Sequence, residues 1–298
     1  MLSQWLKLSR PNIIRRDGYT QVSCHFNGSN VEDLKEALLF YLGFTSGRLI
    51  QPYIIVQQNG HTIETIISSV DDTLVYQEIP PPVSDIVYGV NKNSLDNYHF
   101  DLFRNILNAR MSDKNLFEST FSQWSRIWHS FHSYEIGVLM LTLSVAVEGI
   151  LNDIFIPKLT DILKDDEFEA KKEKIICSIR SIADIDGDHL NSISKYISKW
   201  GNVHSKRAIE FLIKKEIVTS QQRKCWIDLR NSSAHPKLVK ISEGRRKKDY
   251  NQIIICLGMF YCLVLNSYSY KGPLYAYEKV KDNRLVMCFG DGSLFGSS

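Results

Sequence analysis

The 298 residues contain no Cys-x-x-Cys pair, no Gly-rich phosphate loop, no nucleophile elbow and no Walker-type lysine. Metal ribbons, dithiol redox chemistry, P-loop nucleotide hydrolysis and elbow-type serine hydrolysis are therefore not indicated. The six cysteines (Cys24, Cys177, Cys225, Cys256, Cys262 and Cys288) are scattered, with no Cys/His cluster at zinc spacing. They read as reduced, mostly buried thiols of a cytosolic protein. Met1–Lys7 lacks the uninterrupted apolar core of a signal peptide and Arg10–Asp17 is polar, so export is not expected. Two apolar runs, Ile136–Val147 and Ile253–Leu265, fall short of the roughly 18–20 residues of a membrane span and are flanked by Glu148 and Asp249; both read as buried bundle helices. No repeat of 20 to 50 residues is visible. Nor is there an excess of one charge: 36 Lys+Arg against 33 Asp+Glu give a net +3, which alone indicates no partner.

What is present is ample apolar content, 44% of the residues, enough for a sizeable core. In Val31–Phe44 the apolar residues Leu34, Ala37, Leu38, Tyr41 and Leu42 recur at helical spacing, with Asn30 as cap and Gly43 near the end. Arg48–Gln57 and Thr62–Val70 are β-branched and aromatic runs on either side of Asn59-Gly60, a strong hairpin signal because both residues tolerate positive φ. A third strand, Leu74–Ile79, runs into Pro80-Pro81-Pro82, which reads as a stiff connector. From Tyr98 the period is helical: His99–Ala109, Leu116–His129 and Tyr134–Phe155, with Pro157 ending or kinking the last. Asp166–Ile182, Gly187–Lys199, Ser205–Glu216, Ser220–Ala234 and Asp249–Tyr268 follow, and Leu274–Lys279 with Arg284–Phe289 can form a terminal hairpin. The expected class is mainly α. Residues 1–97 form a small α+β portion, 98–270 a helical bundle and 271–298 a β tail.

The densest chemistry lies in Arg230-Asn231-Ser232-Ser233-Ala234-His235. It combines a planar guanidinium, an amide and the side chain type that titrates near neutrality. Five residues along a straight helix turn the second side chain by about 140°, so Arg230 and His235 do not share a face. Pro236 disfavours helical geometry at His235 and allows the imidazole to swing away. A second copy across a two-fold axis would complete a cleft with two Arg and two His. RNA brings its own nucleophile, the 2′-hydroxyl; His235 can act as base or acid, Arg230 can hold phosphate oxygens and Asn231 can support either. The competing account is structural: His235 capping carbonyls at a helix end, and Arg230 paired with Asp228 or Glu148.

The apolar helix Leu139–Leu151 with its internal Glu148, followed some eighty residues later by Trp226-Ile-Asp-Leu-Arg230-Asn231-Ser-Ser-Ala-His235-Pro and a last apolar helix, resembles the HEPN superfamily of helical ribonucleases. It is most similar to the Apea-like HEPN branch of prokaryotic antiphage proteins, over roughly Ser133–Ser269. Leu34–Ile55 is also similar to the region ahead of the bundle in such proteins. The resemblance implies an antiparallel HEPN-type bundle that dimerises and cleaves RNA, with tRNA one candidate, without metal or cofactor. Arg230 and His235 then take the catalytic positions and Asn231 the polar one after Arg. It also implies a role in abortive-infection defence against phage. The rival expectation is a catalytically silent module of the same family that binds a partner protein or RNA.

Three further features carry expectations. Arg245-Arg246-Lys247-Lys248 is either a phosphate-contacting patch beside the cleft or a solvated loop before a helix. Glu148, inside an apolar helix, requires a partner: Arg230, or else a lysine or backbone group. His129 and His132, near Trp124 and Trp128, read as partly buried packing, since no ligand set at metal spacing accompanies them.

Overall fold

A computed structural model of the chain describes residues 7–8, 12–16, 19–23, 26–27, 30–59, 61–69, 71, 78–83, 92–133, 135–162, 166–181, 186–200, 202–234, 243–275, 277 and 286–288, and these are mostly helical. Ahead of the helices, β1 (Lys7–Leu8) pairs with β4 (Phe26–Asn27) and β2 (Asn12–Arg16) with β3 (Tyr19–Ser23), all antiparallel. No periodicity announces these strands, because two to five residues are too few for an alternation to register.

Helix α1 (Val31–Ser46) begins where expected: extended Asn30 accepts the Glu32 N–H through its side chain at 3.0 Å. It ends later than Gly43. Gly47 takes the left-handed conformation, φ 70°, and returns its N–H to the Gly43 carbonyl. Gly43 serves packing instead: a Cβ there would stand 2.8 Å from the Trp124 ring.

The hairpin forms from β5 (Ile54–Asn59) and β6 (Thr62–Ile67), with Ile54 opposite Ile67 and Asn59 opposite Thr62. Asn59 is thus the last paired residue. The first strand starts at Ile54, not Arg48, which bridges Glu78 in isolation and pairs with its carboxylate at 2.7 Å. Of the expected third strand, residues 74–77 lie outside the described ones. The prolines behave as a docked connector. Lacking N–H groups, they offer only carbonyls, and Pro80, Pro81 and Pro82 accept from Tyr261 Oη (2.7 Å), Tyr277 Oη (2.6 Å) and the Tyr275 N–H (2.9 Å).

Helices α2 (Lys92–Ser112), α3 (Lys114–Phe131) and α4 (Ile136–Ile150) then share one apolar cluster with α1: Phe40 and Phe44, Leu102 and Phe103, Trp124 and Trp128, Leu143 and Val147. Pro157 does not end the long helix. Leu151–Phe155 widens into a π-turn in which the Ile156 N–H reaches back to Leu151, and α5 (Ile156–Ile162) continues. A proline at 157 leaves the Asp153 carbonyl without its helical donor, and Asn115 Nδ2 fills the place at 3.3 Å. Helices α6 (Asp166–Arg180), α7 (Gly187–Ser198) and α8 (Ser205–Lys214) follow. Helices α9 (Ser220–Ala234) and α10 (Glu243–Ser267) come next, and β7 (Pro273–Tyr275) pairs with β8 (Val286–Cys288) in the tail.

Every residue of α10 from Ile253 to Ser267 is buried, so it is apolar on all faces because it has no solvent face. Scored by mean hydropathy, the two apolar segments are longer than their uninterrupted runs. Ile136–Ile162 and Glu243–Ser267 hold 18-residue windows at 1.7 and 1.4, long and apolar enough to cross a membrane by length and composition. A central core helix meets the same test, and 83% of the α10 window is buried inside the protein against 56% of the other. The difference lies on α4, where Ile136, Val138, Leu141 and Val145 are exposed.

Among the described thiols Cys225, Cys256 and Cys262 are buried and Cys177 is exposed. Burial pushes the Cys225 thiol up, helped by the Asp228 carboxylate, and pushes Cys256 well up. Brief treatment of the native protein with N-ethylmaleimide at neutral pH, read by peptide mass mapping, is expected to modify Cys177 on the order of 100-fold faster than those three, because access to them requires opening and burial also makes the Cys225 and Cys256 thiolates scarce. Equal rates would show that the α9–α10 seam is open.

Candidate functional site

Helix α9 is secured at its start by a reciprocal capping pair. The Thr219 N–H donates to Gln222 Oε1 at 2.9 Å, and the Gln222 N–H to Thr219 Oγ1 at 3.1 Å. Gln222 is fully buried and also donates to Cys262 Sγ at 3.6 Å on α10, while Gln252 Nε2 of α10 donates to Asp228 Oδ2 at 3.1 Å. As one number rises the other falls, so α9 and α10 are antiparallel.

Two contacts with the same four-residue step bind α9 to α4. Trp226 Nε1 donates to the Ser144 carbonyl at 3.0 Å, and one turn later Arg230 Nη2 donates to Glu148 Oε1 at 2.9 Å. Both numbers rise together, so these helices run parallel. Glu148 therefore has its partner, and of the alternatives it is Arg230; Asp228 is engaged by Gln252 instead. Arg230 also lies over the Trp226 ring, Cζ 5.6 Å from the centroid. Its side chain is fixed at two points yet 51% exposed, against 29% for Glu148. Glu148 is itself only partly buried, so the pair lies at the surface. The guanidinium has further donors beyond the one given to Glu148, and half of the side chain faces solvent.

Asn231 is exposed on α9. His235 and Pro236, with the expected release of the imidazole, lie outside the described residues. Arg245, Arg246, Lys247 and Lys248 form not a loop but the first turns of α10, and all are exposed. With Gln252 opposite Asp228 and a rise of about 1.5 Å per residue on both helices, Lys248 stands about level with Ser232. The basic run thus flanks the last turn of α9. Arg245 is partly spent on Asp249 at 3.0 Å, an i,i+4 pair that offsets positive charge at a helix N-terminus. His129 and His132 sit against Trp128, ring centroids 5.2 and 4.5 Å away, and burial followed by the neighbouring His129 lowers the His132 pKa. His132 is thus partly buried, as expected, whereas His129 is exposed.

The structure also assembles residues that sequence reasoning passed over. A cleft of about 360 Å³ opens beside Arg230, lined by Lys206 of α8 and by Arg223, Trp226, Ile227 and Arg230 of α9. The signal was legible. Arg223 precedes Arg230 by seven residues, nearly two full turns, so both share one face. Residues 205–234 hold seven Lys/Arg against three Asp/Glu in a chain whose whole net charge is only +3.

No family model matches the chain, and no curated protein and no solved structure shows significant similarity to it.

Proposed function

We propose that the protein is a HEPN-type endoribonuclease that acts as a homodimer in the cytoplasm, without a metal or cofactor, in abortive-infection defence. The observation that carries this reading is Arg230: held by Glu148 and Trp226, and still half open to solvent, five residues ahead of His235. In the proposed reaction His235 of one copy removes the proton from the 2′-hydroxyl, whose oxygen attacks phosphorus. The bond to the 5′-oxygen breaks, and that oxygen leaves with a proton from His235 of the second copy. Arg230 balances the charge gathered on the phosphorane oxygens, and Asn231 supports the phosphate or the imidazole. The products are a 2′,3′-cyclic phosphate and a free 5′-hydroxyl. DNA, lacking the nucleophile, is not cut.

A dimer is supported by the exposed apolar ridge of α4. Val138, Leu141 and Val145 lie along one face, and the same spacing leads to Glu148, so two copies meeting on this ridge would bring two Glu148–Arg230 pairs near one axis.

Incubation with tRNA and total RNA in EDTA, with end-group analysis, tests the reading. Fragments ending in 2′,3′-cyclic phosphate are expected, falling by about 10³-fold in both His235→Ala and Arg230→Ala. Intact RNA with wild type, alongside normal binding of a protein or RNA partner by both variants, would establish the silent-module alternative.

A further inference from the structure

We infer that the cleft between α8 and α9 binds the phosphodiester backbone of a single-stranded RNA, with Lys206 and Arg223 as its contacts beyond Arg230. The inference rests on the proposal that the protein acts on RNA, and names how the substrate is held.

Charge comes first. The seven basic residues of 205–234 outnumber its acids by more than the net charge of the whole chain, so everything outside this segment sums to slightly negative. The adjoining residues 236–250 carry an equal excess, so positive charge is concentrated over 205–250, a stretch that includes the two helices of the cleft, where it attracts a polyanion from a distance.

Local pairing leaves the cleft walls underused. Arg230 gives one Nη to Glu148. Arg223 reaches Glu210 only at 3.5 Å, and its Nε is buried without an acceptor among the described residues. Lys206 is exposed and forms no ion pair among the described residues. Three cations line a space with an apolar floor of Trp226 and Ile227. A buried, unpaired guanidinium nitrogen is costly unless a ligand supplies the missing acceptor.

Shape then selects the ligand. Arg223 and Arg230 are seven residues apart on one helix face, about 10 Å along the axis. A strand laid along the helix can present successive phosphates to both ends of that row, which a lone phosphate fills less completely. The contacts are to phosphate and not to base faces, because Trp226 is only 3% exposed, held at its edge by Ser144 and covered by Arg230. The cleft therefore reads no base and does not sense the 2′-hydroxyl: single-stranded DNA of equal length binds there about as well, although it is not cleaved. Arg245–Lys248, on α10, flank the last turn of α9 but do not line the cleft.

Fluorescence anisotropy tests this, using a labelled 12-mer of 2′-O-methyl RNA, which cannot supply a nucleophile, and a DNA 12-mer. Lys206→Ala and Arg223→Ala are each expected to weaken binding about 10-fold at low salt, and to lower the slope of log K against log[salt] by about 0.7 for each phosphate no longer neutralised. Lys206 is exposed and Arg223 partly buried, and native folding of both variants is verified by circular dichroism. Lys214→Ala, removing an exposed cation outside the cleft, is expected to stay within twofold of wild type.

The inference is overturned if the cleft variants bind within twofold of wild type, or if wild type binds neither oligonucleotide. It also falls if the weakening appears instead in an Arg245→Ala/Lys248→Ala protein, which would move the strand to α10. Displacement by inorganic phosphate at constant ionic strength would mark a small-anion pocket, and equal competition by polyglutamate an unselective basic face; either outcome rejects the strand site. These readouts are separate from cleavage. Cyclic-phosphate products with unchanged binding by the cleft variants would reject the cleft and keep the nuclease. Binding abolished in those variants, with wild type that never cuts, would do the reverse.

Discussion

Gly47→Ala is expected to lower the free energy of unfolding by about 3 kcal/mol or more, while Gly137→Ala is expected to leave it unchanged or raise it by about 0.5–1 kcal/mol. The same atom is added in both, so the contrast isolates the site. Gly47 ends α1 at φ 70°, a conformation that costs a residue with a Cβ roughly 1–2 kcal/mol. A Cβ there would also collide with the Ile79 carbonyl oxygen, which is backbone and has no rotamer to change. The Gly47 carbonyl meanwhile accepts the Ile79 N–H at 2.8 Å and Trp128 Nε1 at 3.2 Å, and moving Ile79 aside endangers both bonds, each worth about 1 kcal/mol. Gly137 lies in the first turn of α4 with nothing within 4 Å of the added atom, and alanine is the better helix former. Urea unfolding with an unchanged m-value would report the difference as a shift in midpoint. If Gly47→Ala lay within about 0.5 kcal/mol of wild type, the junction of α1, Ile79 and Trp128 would not be the rigid joint described.

An exchange of the two charges, Glu148→Arg with Arg230→Glu, is expected to restore most of the stability removed by either single change and none of the activity. Each single replacement sets two like charges where a 2.9 Å bond stood. The exchange returns an opposite pair at the same place. Were the guanidinium present only to satisfy Glu148, the exchanged protein would behave as wild type in every respect. Under the proposed chemistry the phosphorane would meet a carboxylate where it needs a cation, and RNA cleavage would stay about 10³-fold down. Thermal melting and a cleavage time course on the same four proteins separate the two properties. Recovery of cleavage to within about threefold of wild type would show that position 230 has no role beyond the pair.

Helices with a strong local signal were legible in the sequence. α9 runs over Ser220–Ala234, the residues its pattern indicates, because helical spacing is a local property of the chain. Boundaries that depend on a distant partner were not. Gly43 has the residue type of a helix end, yet the helix continues because Trp124, some eighty residues on, needs the space beside it. Pro157 has the residue type of a stop, yet the π-turn absorbs it because Asn115 supplies a donor to Asp153 from α3. The first turns of α10, rich in like charge, carried no helical apolar period, and the helix reaches Glu243 because its buried half propagates backwards and Asp249 offsets Arg245.

The site divides the same way. The order of residues along the chain dictates which chemical groups stand close in it: a guanidinium and an imidazole five apart, a carboxylate inside an apolar helix, and a segment holding more than the net charge. Whether Arg230 met Glu148, Asp228 or solvent could not be read from spacing, since the candidates lie up to 82 residues apart and differ only in where their helices pack. Packing made that choice, by laying α9 parallel to α4 so that Trp226 finds Ser144 and Arg230 finds Glu148 one turn later. The same packing brought Lys206 of α8 to the face of Arg223 and Arg230. Burial of the apolar sides of these helices fixes their rotation, and that rotation chooses which polar side chains meet at the surface.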